Sequence, residues 1–189
     1  MLAGMAPTSG RTTGRQDEVD RLVAAWARER PDLDVSPLEV LSRVSRLARH
    51  LDRARSEAFS QHGLETWEFD VLAALRRAGT PYELSPGQLL TLTLVTSGTM
   101  TNRIDRLEAR GLVTRRPDPD DRRGVLVTLT PAGRARVDAA LADLLEQERA
   151  ILSELSRADQ ERLADLLREV TVPFEDAQAD DARSAPDGT

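Results

Sequence analysis

Residues 97–131 read SGTMTNRIDRLEARGLVTRRPDPDDRRGVLVTLTP, and the reading of this stretch decides the fold. From Ser97 to Arg110 the apolar side chains recur at the helical period. With Met100 set at zero and successive residues about 100° apart, Ile104 and Leu107 fall within about 40° of it and define a buried face. Gly98, Thr99, Asn102, Asp105 and Arg106 look the opposite way. Gly111 stands just past the end, where a left-handed residue closes a helix. Beyond it the period drops from about 3.6 to 2. Leu112 to Arg115 and Val125 to Leu129 are β-rich runs, and Pro117-Asp118-Pro119-Asp120-Asp121-Arg122-Arg123-Gly124 between them is turn chemistry. The product is a helix followed by a β-hairpin with a long charged tip.

Upstream, Thr66 reads as the N-cap of a short helix carrying Trp67, Val71, Leu72 and Leu75, closed near Gly79. Ser85-Pro86-Gly87-Gln88 is a capping box that starts another, through Leu89, Leu90 and Leu92. A break at Leu94 to Thr96 leads into the Ser97 helix, so the last two of three short helices are separated by a tight turn. That is helix-turn-helix geometry. Further out, Val19, Leu22, Val23 and Trp26 make one helical stripe that stops near Pro31. Ser36-Pro37-Leu38-Glu39 reads as a second capping box, opening a helix to Gln61 or His62. Downstream, Thr130-Pro131 caps a long helix with Val137, Leu141, Leu144, Leu145, Ile151, Leu152 and Leu155 along one stripe. Ser156 opens another, with Leu163, Leu166, Leu167 and Val170, which Pro173 is expected to stop.

The composition narrows the function. The chain has 189 residues, no Cys and 26 basic side chains against 32 acidic ones. Without Cys there is no disulfide scaffold, thiolate metal site or cysteine nucleophile. No long apolar run or leader opens the chain, so no membrane partner and a cytoplasmic location are expected. Every basic residue is Arg, and from Arg103 to Arg136 nine Arg meet five acids, a local +4 in a chain of net −6. One basic island on an acidic protein is the footprint of a module that touches phosphate with one surface. His50 and His62 are the only histidines, 12 residues apart and about 120° out of phase, so they form no two-His metal face. With no phosphate loop or nucleophile elbow either, no enzyme, catalytic residue, metal or cofactor is expected.

A helix showing small hydrogen-bonding side chains near its N-terminus, just after a tight turn, suits entry into the major groove of double-stranded DNA. Asn102 can pair with adenine edges and Arg106 with guanine, while Ser97, Thr99 and Thr101 can reach phosphates or bases. The same face would serve an ordinary solvated helix; the hairpin tips the balance. Arg122 and Arg123 at its tip suit a narrow minor groove or the backbone, with Arg115 and Arg116 at its base. Asp120 or Asp121 holds the loop in shape rather than meeting DNA. The apolar stripes at both ends of the chain call for a second copy, which would set two reading heads about 34 Å apart on a pseudo-palindrome.

Leu107-Glu108-Ala109-Arg110-Gly111-Leu112-Val113, the Asp120-Asp121-Arg122-Arg123 wing and Leu129-Thr130-Pro131-Ala132-Gly133, in this order and spacing, resemble the MarR family of winged-helix transcriptional regulators. The resemblance implies a mainly α fold with a small β-hairpin wing, a winged helix-turn-helix whose N- and C-terminal helices form a dimerisation lobe. It also implies a homodimer, a minor-groove contact by Arg123, and repression relieved by a small anionic or phenolic ligand. A narrower likeness is to the urate-responsive, PecS-like branch, whose members carry an additional N-terminal helix with a Trp, an Asp before the helix-turn-helix and two Arg. Trp26, Asp70, Arg103 and Arg115 occupy those places and are the implied effector site. An anion near Trp26, paired with Arg103 or Arg115 and repelling Asp70, would shift the reading helix. A coupling of about 1–3 kcal/mol weakens DNA binding about 5- to 150-fold.

The expected organisation is a disordered 1–15, N-terminal helices over 16–62, a DNA-binding lobe over 63–130, dimerisation helices over 131–173 and a disordered acidic tail over 174–189. Arg123→Ala is expected to weaken operator binding at moderate salt and to lower the slope of log affinity against log salt by about one. Unchanged affinity in a salt-titrated mobility assay would remove the wing contact.

Overall fold

The computed structural model describes residues 16–93, 96–121 and 124–184, with the side chains of 178–184 left aside. The expected disorder of 1–15 and the wing-tip Arg122 and Arg123 therefore lie outside the described residues, as do Leu94 and Val95 of the turn. Among the described residues, seven helices and three strands follow in order: α1 (Glu18–Glu29), α2 (Pro37–Gln61), α3 (Thr66–Arg77), β1 (Glu83–Leu84), α4 (Pro86–Thr93), α5 (Ser97–Ala109), β2 (Val113–Pro117), β3 (Val125–Leu129), α6 (Pro131–Ile151) and α7 (Arg157–Ser184). The chain divides into two compact units, one through Arg53 and one from Ala54 onward, with the boundary inside α2.

In the first unit, Asp17 and Asp20 cap α1 reciprocally. Each backbone amide donates to the other's carboxylate, at 2.8 and 2.9 Å, satisfying two of the amides that a helix start leaves open. Arg43 of α2 donates to both carboxylates, at 2.9 and 2.8 Å. Its guanidinium, together with the Asp20 amide, holds the Asp17 carboxyl down at about 2. The start of α2 departs from the expected capping box. The Ser36 amide donates to Asp34 at 3.0 Å rather than to Glu39, because an Asp two residues upstream closes a tighter local ring than a Glu three residues on.

The second unit holds the core cluster. Phe59 of α2 stacks on Phe69 of α3 at 3.9 Å between ring centroids. Leu72 and Leu75 of α3, Leu89 of α4, Met100, Ile104 and Leu107 of α5, Val127 of β3 and Val137 of α6 fill the space around them. The cap of α3 lies one residue earlier than Thr66, at Glu65. There the buried Glu68 carboxylate reaches back to the Glu65 amide at 2.9 Å, and that carboxylate decides the frame. The box at α4 is present as read. Ser85 and Gln88 exchange amide-to-side-chain bonds at 2.8 and 3.2 Å.

The hairpin gains a third strand that the sequence pattern does not announce. The sheet runs β1-β3-β2, all antiparallel, with Glu83 opposite Thr128 and Val113 opposite Leu129. Two residues are too few for any alternation to register. What recruits them is charge: Glu83 accepts from Arg116 of β2 at 2.8 Å and from the Thr128 hydroxyl at 2.8 Å, spanning the sheet. Arg116 chiefly, and Thr128 after it, keep the Glu83 carboxyl below its ordinary value.

Pro173 does not stop the last helix. α7 continues through it to Ser184, so the expected boundary at 173 and the disordered tail are corrected over 174–184. A helical Pro removes one amide and frees the carbonyl four residues back. Here that carbonyl belongs to Glu169, an exposed residue that water can satisfy. Every described side chain of α7 is exposed or half-buried, so no packing forces a break.

At the β3–α6 junction the Thr130 hydroxyl accepts the Gly133 amide at 3.0 Å and donates to the Gly111 carbonyl at 2.8 Å. The first turn of α6 thereby lies directly on the backbone leaving α5. A Cβ on Gly133 would sit 2.1 Å from the Leu112 carbonyl oxygen and 2.9 Å from Leu129 Cδ1, so this glycine is required by contact rather than by turn chemistry alone. Gly133→Ala is expected to destabilise the fold by about 1–3 kcal/mol through overpacking. The check is a lower urea midpoint at unchanged slope; an unchanged midpoint would show that the junction can open freely.

Candidate nucleic-acid interface

α5 lies with Met100, Ile104 and Leu107 buried, while Ser97, Gly98, Thr99, Thr101, Asn102, Asp105 and Arg106 are all exposed. The side chains of Ser97 and Asn102 make no hydrogen bond among the described residues. Thr99 pairs with the Thr96 hydroxyl at 3.0 Å, and Thr101 turns back onto the Ser97 carbonyl at 3.2 Å. Such local bonds exchange readily for a phosphate or base edge.

Three arginines fix this helix from its sides. On the α3 side, Arg106 donates to Glu65 at 2.6 Å and its guanidinium lies 4.7 Å from the centre of the Trp67 ring. The Trp67 indole N–H donates to the other Glu65 oxygen at 2.7 Å. That bond first, and Arg106 after it, lower the Glu65 carboxyl. One turn further on, Arg110 at the C-cap reaches both oxygens of Glu68, whose side chain is 1% exposed, and donates to the Gly63 carbonyl at 2.6 Å. On the wing side, Arg115 of β2 pairs with Asp105 and, at 2.5 Å, with Glu108, while its own amide donates to Glu108 at 3.0 Å.

Of the four residues expected to form an effector site, two line one cavity in the second unit. Asp70 and Arg103 line one cavity of about 610 Å³ together with Ser56, Ser60, Glu65 and Trp67. Arg115 is not among its lining residues; it is engaged with Asp105 and Glu108 at the root of the wing. Trp26, half-exposed on α1, belongs to the first unit. The ring beside Arg103 is Trp67, 5.4 Å from its guanidinium. Asp70 pairs with Arg55 at 3.4 Å rather than with Arg103.

Glu65, Trp67, Glu68 and Arg110 are the residues that sequence reading passed over. Trp67 counts as a core aromatic when only spacing is considered, and Glu68 as a capping carboxylate. The available signal is a dense run of large and acidic residues, Glu65 to Asp70, next to a helix rich in Arg. A second cavity, about 320 Å³, is lined by Phe69, Ala73, Val137 and Leu141 together with Arg55 and Arg77. No helix among the described residues is long and apolar enough to cross a membrane.

Comparison with known proteins gives the same picture. Residues 62–124 match the MarR family model. The chain is 42% identical to the HTH-type transcriptional regulator PecS of Dickeya dadantii over 81% of this chain and 92% of that protein. Among solved structures, a mutant of Escherichia coli MarR complexed with operator DNA superposes with a TM-score of 0.60 at 28% identity, covering 73% of this chain and 99% of that one. Bordetella bronchiseptica BpsR, solved in a study of the regulation of its DNA binding by 6-hydroxynicotinic acid, gives 0.53 at 32% identity, covering 68% and 98%.

Removing one partner of the Glu68–Arg110 pair strands a buried polar group. Arg110→Ala is expected to cost about 3–5 kcal/mol, towards the lower end because the Arg110 side chain is 35% exposed. The double replacement Glu68→Leu/Arg110→Met should cost less than the sum of the two single ones, as measured by denaturant unfolding. Additive losses would show that the two side chains are not coupled.

Proposed function

The chain belongs to the MarR family of winged-helix transcriptional regulators, in its PecS-like branch, and from that premise we propose that it acts as a homodimeric repressor of a pseudo-palindromic operator, released by a small aromatic anion. It is a regulator rather than an enzyme. The observation that carries the reading is the exposed polar face of α5, buttressed on both flanks by ion pairs while Ser97 and Asn102 stay unengaged. Ser97, Thr99, Thr101, Asn102 and Arg106 would meet the major groove, and Arg122 and Arg123 the minor groove or backbone.

Dimerisation is supported by apolar side chains that no core claims. Leu141 and Leu145 on α6, and Leu166, Val170 and Phe174 on α7, are all exposed in the single chain. So are Val40, Leu41, Val44 and Leu47 on α2. A twofold partner covering such stripes sets the half-site spacing near one DNA turn.

The effector reading rests on the cavity shared by Asp70, Arg103 and Trp67. An aromatic carboxylate or urate-like anion would pair with Arg103, stack on an indole and repel Asp70. Trp26 remains the branch-implied aromatic and Trp67 the one beside Arg103. Because Arg103 stands on α5, its displacement would act on the reading helix directly. The 6-hydroxynicotinic acid named for BpsR is an anion of the same chemistry.

The test is a mobility assay on the gene's own upstream DNA, with and without urate, xanthine, citrate, trans-aconitate, salicylate and 6-hydroxynicotinate. One of the aromatic anions is expected to weaken binding at least fivefold, and Arg103→Ala to abolish that response while leaving DNA binding intact. A response that survives Arg103→Ala rejects the pocket, and loss of DNA binding in that variant assigns Arg103 to the groove. A chain that stays monomeric in sedimentation at assay concentrations rejects the dimer.

A further inference from the structure

Glu65 stands out among the charges at the edge of the exposed face of α5. On the helical wheel Asn102, Arg106 and Thr99 fall within about 60° of one another, forming one stripe of that face. Arg106 is its only cation, and Glu65 already holds it at 2.6 Å, with both side chains more than half exposed. The carboxylate has no freedom to swing aside, because its second oxygen is held by the Trp67 indole N–H at 2.7 Å. Trp67 is in turn the plate on which Arg106 lies, at 4.7 Å. Glu65, Trp67 and Arg106 thus close a ring of three contacts at the margin of a surface that would otherwise offer phosphate a bare guanidinium.

A fixed carboxylate there neutralises the cation that would otherwise attract any backbone phosphate, in register or out of it. An exposed pair of this kind is weak. A base edge or a phosphate presented in the correct geometry, with Asn102 and Thr99 engaged alongside, therefore suffices to take Arg106 from it. We infer that Glu65 is a specificity-determining residue, which masks Arg106 against non-operator DNA and yields it only to a correctly placed site. This rests on the proposal that Arg106 meets DNA. Trp67 is the positioning residue of the device, since it aims the carboxylate.

The experiment compares operator and scrambled duplexes at several salt concentrations with the full chain, using the wild type, Glu65→Gln, Arg106→Ala and the double variant. Gln keeps an oxygen for the Trp67 indole and removes only the charge. Glu65→Gln is expected to raise affinity for the scrambled duplex about two- to fivefold and to steepen its salt slope by up to about one. The operator should gain less, so that the operator preference falls. In the Arg106→Ala background the same change should have no effect on either duplex. An equal gain with and without Arg106 would mean plain charge repulsion and overturn the masking, and so would an unchanged preference in Glu65→Gln. Operator affinity unaffected by Arg106→Ala would instead reject the groove contact itself. Glu65→Ala, read by thermal melting alongside, separates these outcomes from loss of fold, which the exposure of the pair does not predict.

Discussion

A carboxylate with no surface in contact with water must have its oxygens matched by donors, or the fold loses more than the group contributes. Glu68 is such a group, and the donors it takes are the Arg110 guanidinium and the Glu65 amide. Arg110 spends its remaining reach on the Gly63 carbonyl, in the turn between α2 and α3. One buried side chain thus binds together the start of α3, the turn before it and the end of α5. Because the anchor sits at the C-cap of α5, the helix is fixed from its far end, while Met100 seats its N-terminal half in the core and leaves the polar face there exposed.

Along α5 the ion pairs weaken in the direction of the exposed face. The Glu68–Arg110 pair is buried on its acidic side, Arg115 is 29% exposed between Asp105 and Glu108, and Arg106 is 52% exposed against Glu65. Pairs in water are worth about 0–1 kcal/mol, whereas breaking a buried one costs several. The helix is therefore rigid at its root and adjustable at its rim, which is what a surface that must both hold its register and exchange partners needs. The shared ring of Trp67 extends this to the cavity, since Arg103 and Arg106 both lie over it.

The sequence carried the architecture because its signals are local. The Met100–Ile104–Leu107 face, the box at Ser85 and Gln88, the Thr130 cap and the Val125–Leu129 run each depend on neighbours within four residues, and each stands in the structure as read, while the first hairpin strand runs on to Pro117, two residues past the expected Arg115. Signals that depend on distant partners were illegible. β1 exists because Glu83 bridges to Arg116, 33 residues away. Glu68 is buried because Arg110, 42 residues on, meets it. Pro173 misleads for the opposite reason: its local rule is sound, but the hydrogen-bond part of the cost it predicts is offset where the freed carbonyl faces water. At the cavity, Asp70 and Arg103 line the same space, whereas Arg115 is engaged with acids of its own, a pairing that spacing along the chain does not reveal.

α6 shows how the two tasks of such a chain become one. Gly133, Val137, Ala140 and Leu144 are its buried residues, the last three within the core cluster, and the helix packs against α3. Leu141 and Leu145, on the flank of that same stripe, are only partly covered and remain exposed. Burying each fully would contribute on the order of 1 kcal/mol, given about 1.5–3 kcal/mol for a whole leucine. Together with Leu166, Val170 and Phe174 of α7, which are likewise exposed, these residues offer a substantial driving force that no side chain among the described residues covers. In the proposed dimer, α6 would be a single element held by the core along one stripe and by the partner along the adjoining flank. Any ligand that shifts α3 against α6 would then alter the spacing of two reading helices at once, and a spacing error at a twofold site penalises both half-sites together.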